Sequence, residues 1–96
     1  MSFEEFLAGV APPAGASPAL QALWHEAHGD WARAHACAQE DEGAAGSWVH
    51  AYLHRREGDA ANARYWYARA GRTPPAKTVT LDAERGAIAR EMLGDA

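Results

Sequence analysis

"LWHEAHGDWARAHACAQ" (residues 23–39) and "LHRREGDAANARYWYARAGR" (residues 53–72) are the stretches that decide the fold. Each sets a His four residues ahead of a Gly-Asp pair, His25 before Gly29 and His54 before Gly58. Each then places an Ala four residues after the Asp, Ala34 and Ala63, so the two copies stand 29 residues apart. Gly suits the end of a helix because the residue there often turns left-handed, which costs Gly least. Asp suits the next position because its carboxylate accepts the free amide hydrogens that open the following helix. Ala suits the third because two antiparallel helices cross closely there. An amphipathic hairpin cannot bury its apolar stripe alone, so the second copy is expected to stack on the first.

The rest of the chain agrees with a helical reading. Alanine fills about a quarter of the 96 residues, and Val, Ile and Thr are scarce, which favours helix over sheet. Ser2 with Glu5 forms a capping-box pattern, so a short helix is expected from Phe3 to about Ala8. Ser17 and Pro18 open a helix carrying Leu20, Leu23 and Trp24 that stops at Gly29. Asp30 opens the next, and hairpin 1 thus covers about residues 18–40. "DEGAAGS" reads as a loop ending in the N-cap Ser47, so hairpin 2 is expected over about residues 48–70, terminated by Gly71. Thr80 caps a last helix over about 81–93 that covers an open end. The fold class is therefore all-α, one domain, with two stacked helical hairpins between a short N-terminal helix and a C-terminal capping helix.

On those residues the chain resembles the tetratricopeptide and Sel1-like helical repeats. "GDAANARYWYARAGRTPP" is similar to the second half of such a unit, with Gly58 at the turn, Ala63 and Ala70 as small residues, Tyr67 as the aromatic knob and Pro75 as the terminator. The first copy has Ala38 where that knob falls, and the 29-residue spacing is shorter than the tetratricopeptide period of about 34. "GSWVHAYLHRREGD" with "NARYWYARAGR" also resembles a small bacterial family of uncharacterised function. The repeat resemblance implies non-catalytic protein binding; the second implies no activity.

Bulk properties narrow the partners. The net charge of −4 argues against nucleic acid, yet the segment 50–77 carries six cations against two anions. A basic middle with acidic flanks fits another protein or an acidic peptide, and also a homodimer. A single cysteine, Cys37, excludes an intrachain disulfide. The acidic N-terminus does not read as a signal peptide, and no stretch is long enough to cross a membrane, so a cytoplasmic location is expected.

Two constellations are candidates for chemistry. His25 and His28 lie three apart, and His50 and His54 four apart with Glu57 three further on, so each set shares a helix face. Stacked hairpins would bring His25 towards His54. His25, His50, His54 and Glu57 are thus candidate metal ligands, although in the repeat alignment His25 and His54 fall at packed ring positions. The second constellation interleaves aromatics with arginines. Tyr52, Trp66 and Tyr67 read as core, which leaves Arg55, Arg64, Tyr65 and Arg69 for solvent or a partner. The expected binding surface is the exposed face around His50, His54, Arg55, Glu57 and Arg64, with His25 and His28 beside it. No nucleophile–base arrangement occurs, and neither an enzyme nor a cofactor is expected.

Overall fold

A computed structural model describes residues 1–95, and among these the chain is all-helical, without strands. The helices are α1 (Phe3–Ala8), α2 (Pro18–Ala27), α3 (Trp31–Glu40), α4 (Ala44–Arg56), α5 (Ala60–Ala70) and α6 (Leu81–Leu93). Local chemistry starts most of them. Ser2 and Glu5 exchange hydrogen bonds at α1, Ser17 accepts from the Leu20 amide at α2, and Thr80 accepts from the Ala83 amide at α6.

The two Gly-Asp turns are backbone copies of each other. Gly29 and Gly58 take φ of 85° and 87°, a region that other residues enter at a cost of about 1–2 kcal/mol. The Asp30 amide donates to the His25 carbonyl at 2.9 Å, and the Asp59 amide donates to the His54 carbonyl at 2.9 Å. Each Asp side chain then caps its helix: Asp30 accepts from the Arg33 amide and Asp59 from the Asn62 amide. The repetition in sequence is therefore a repetition in hydrogen bonding.

One boundary differs from the sequence expectation. The helix expected from about residue 48 begins at Ala44, and Ser47, expected as its N-cap, lies buried inside it. The cause is a close approach. The Asp41 side chain accepts from the Gly43 amide, and α4 packs its first turn onto the Asp41 backbone at Gly46. A Cβ at Gly46 would stand 1.9 Å from the Asp41 carbonyl oxygen, so only glycine permits the contact. The loop shrinks to three residues.

The main core joins every helix except α5. Phe6 of α1, Leu23 and Trp24 of α2, Ala34 and Ala38 of α3, Val49, Tyr52 and Leu53 of α4, and Ile88 and Ala89 of α6 are all buried together. Burying a side chain such as Leu23 or Leu53 contributes about 1.5–3 kcal/mol. A second, smaller cluster of Ala51, Ala63 and Tyr67 seats α5 on α4. The small residues at these crossings set the spacing, and enlarging one would cost about 1–3 kcal/mol in overpacking. Across the joint between the helix pairs, Trp31 Nε1 donates to the Leu53 carbonyl at 3.0 Å.

Two buried acids fasten α6. Glu26 receives a two-pronged grip from Arg85, at 2.7 and 2.6 Å, with Arg56 alongside at 3.2 Å. Glu84 accepts from Arg55 at 2.9 Å and from the Tyr67 hydroxyl, while Arg55 also donates to the Val79 carbonyl. Bidentate pairing of this kind offsets the desolvation of the carboxylate, which an unpaired acid could not survive. Among the described residues the buried Tyr52 hydroxyl has no well-formed hydrogen bond, and burial, with the Glu26 carboxylate nearby, pushes its pKa up.

Candidate functional site

Packing α3 against α4 gathers three histidines at the joint between the helix pairs. Trp31 and His35 share a face of α3 at i,i+4 spacing, and their rings stack with centroids 4.8 Å apart. That face meets His50 and His54, which share a face of α4 and stack at 4.8 Å. Nε2 of His50 lies 2.9 Å from Nε2 of His35. From α5, Trp66 closes over His50 with ring centroids at 3.9 Å and planes 14° apart. Indoles thus hold two of the imidazoles from outside. The third is fixed by a hydrogen bond: His54 Nδ1 lies 2.5 Å from Glu57 Oε1.

Burial dominates the electrostatics of the cluster. His50 is 5% exposed, and desolvation, reinforced by His35 and His54, lowers its pKa to about 4. His35 is lowered as well, again chiefly by desolvation. Both rings are neutral near pH 7, with a lone pair available on one nitrogen each.

The remaining sequence candidates take other places. His50 and His54 were expected on an exposed face, but α3 and Trp66 cover them. Arg55 turns inward to Glu84. Glu57 is exposed and orients His54, and Arg64 faces solvent on α5. His25 and His28 do not join His54. They stay at the end of α2 against Trp24, His25 edge-on at 5.3 Å and His28 face-on at 3.8 Å, with His28 Nδ1 donating to the Trp24 carbonyl. The reason is that α3, not α2, lies against the histidine face of α4. His35 was missed as a candidate because nothing in its own neighbourhood ties it to residues 50 and 54. The i,i+4 pairing of Trp31 with His35 was the available signal.

His50 and Trp66 also line a cleft of about 460 Å³, together with Arg69, Asp41 and Glu42. The Arg69 guanidinium lies 5.3 Å from the Trp66 ring centre and donates to the Tyr65 hydroxyl at 3.2 Å. Among the described residues no imidazole hydrogen-bonds a hydroxyl or thiol. Burial raises the pKa of the half-buried Cys37 thiol, which disfavours the reactive thiolate. The cluster can therefore ligate, stack and share protons, while nothing around it makes a nucleophile.

No family model matches the chain, and no curated protein or solved structure shows a significant similarity to it.

Proposed function

We propose that the chain is a non-catalytic helical-repeat binding module whose recognition face is the outer ridge of α5, and that its partner presents an acidic segment. The observation that carries this reading concerns the arginines. Arg33, Arg55, Arg56, Arg72, Arg85 and Arg90 each pair with a carboxylate. Among the described residues Arg64 and Arg69 meet none, and both sit on the exposed side of α5. Between them Tyr65 is 53% exposed, one of the few large rings offered to solvent in the molecule. Arginine beside an exposed tyrosine is the composition of an interaction hot spot, and two uncompensated positive charges select an anionic partner. The tetratricopeptide-like arrangement of the two helix pairs belongs to the same proposal.

The test is fluorescence anisotropy with a labelled short Glu/Leu peptide. Saturable binding is expected, weakened about tenfold or more in an Arg64→Ala/Arg69→Ala double variant. The fold should not suffer, since exposed substitutions usually change stability by only about 0.5 kcal/mol. Equal binding of a Lys/Leu peptide, or a double variant as tight as the parent, would refute the reading.

A further inference from the structure

We infer that His35, His50 and His54 form a binding site for a zinc-class divalent cation at the joint between α3 and α4, with Glu57 as the positioning residue of His54. One ring nitrogen from each histidine lies within 4.8 Å of the other two. Two nitrogens on one tetrahedral zinc stand about 3.3 Å apart, given Zn–N bonds of about 2.0–2.1 Å. The Nε2 atoms of His35 and His50 are already 2.9 Å apart. Closing the set around an ion therefore needs ring movements of only about 1–1.5 Å.

The hydrogen bonding points the same way. Two imidazole Nε2 atoms that face each other must share one hydrogen, because neutral rings offer one donor and one acceptor each. A cation between them takes up both lone pairs, and the displaced hydrogen moves to an Nδ1. For His54 the arrangement is already set: Nδ1 is held on the Glu57 carboxylate at 2.5 Å, which leaves Nε2 for the ion. A carboxylate behind a ligating imidazole is the usual way a protein fixes the tautomer and strengthens the donor. Stacking of Trp31 on His35 and of Trp66 on His50 restrains the other two rings.

The donor set also chooses the metal. Three imidazoles without a thiolate suit zinc and its neighbours, whereas calcium and magnesium require oxygens. Glu57 and Asp59 also cluster with His54, but Asp59 is engaged as the N-cap of α5 and Glu57 by the imidazole itself. Three protein ligands leave a fourth position for water, and His50 borders the open cleft through which an ion would arrive. A bound ion would tie the first helix pair to the second.

Tag-free protein dialysed against zinc chloride and then zinc-free buffer is expected to retain one zinc per chain. In proton NMR, one equivalent of zinc should shift the imidazole resonances of His35, His50 and His54 and leave those of His25 and His28 in place. His35→Gln, at a half-buried ring, should weaken zinc binding at least about tenfold, and Glu57→Gln by about 10–100-fold. His25→Gln and His28→Gln should bind as the parent does. A response confined to His25 or His28, no retained zinc, or undiminished binding by a folded His35→Gln protein would overturn the site. The NMR titration needs no substitution, so a variant that fails to fold does not blunt the test. Peptide binding to α5 is measured in chelator, so failure of either proposal is distinguishable from failure of the other.

Discussion

The two Gly-Asp turns have the same glycine conformation, the same helix-closing hydrogen bond and the same aspartate cap, yet the residues just before them do opposite things. In the first pair His25 remains half-buried at the end of α2, and Glu26 is the buried charge. In the second pair His54 is buried in a cluster of three rings, and position 55 carries an arginine in place of the acid. The turn is dictated by residues within a few positions of it, so it repeats wherever Gly-Asp repeats. Burial is dictated by neighbours. Helix α4 is flanked by α3 and α5, which close over its histidines, while the histidines of α2 find only their own Trp24.

The comparison can be broken hardest at the charges. Glu26→Ala leaves Arg85, whose side chain is 13% exposed, with only the exposed Asp82 carboxylate at 3.3 Å, and should cost about 3 kcal/mol in urea unfolding. Arg55→Ala leaves Glu84, whose side chain is 6% exposed, with the Tyr67 hydroxyl as its remaining partner, and should cost a similar amount. If Arg55→Ala costs much less than Glu26→Ala, the two buried acids are not equivalent anchors of α6. A pH effect separates the histidines. His50 binds its proton at about pH 4 when folded but near 6.5 when unfolded, so its contribution is complete above about 6.5 and is lost as pH falls towards 4. Stability measured in chelator should drop by about 3 kcal/mol across that window. The groups facing His50 there are His35, His54, Glu57 and, at the cleft, Asp41, Glu42 and Arg69. His50→Gln should flatten most of the slope and His25→Gln should leave it nearly intact. The smallest effect tests sameness: Asp30→Ala and Asp59→Ala should each cost about 1 kcal/mol, within error of one another. Unequal costs would show that the turns are copies in outline only.

What could be read from the sequence follows the same division. Ser2, Ser17, Asp30, Asp59 and Thr80 each act on the amide three residues away, so their helices were legible. The start of α4 was not, because its N-cap Gly43 offers no side chain and the decisive contact is between Gly46 and the Asp41 backbone. His50 and His54 announced themselves by spacing. His35 lies fifteen residues from His50 and joins it only once α3 has packed on α4. The 29-residue offset suggested His25 instead, since a likeness between two stretches of sequence says which positions correspond and not which ones touch. The inward turn of Arg55 was equally hidden, for its partner Glu84 lies on a helix outside the repeat.

Helix α6 reads that equivalence through two consecutive residues of opposite sign. Glu84 takes the arginine of one copy and Arg85 takes the glutamate of the other. A lid with two like charges would fit the halves either way round. This one fits in a single orientation, because exchanging the halves beneath it would set acid against acid and base against base. Two helix pairs with like turns, which could otherwise trade places during folding, are thereby given a distinguishable left and right.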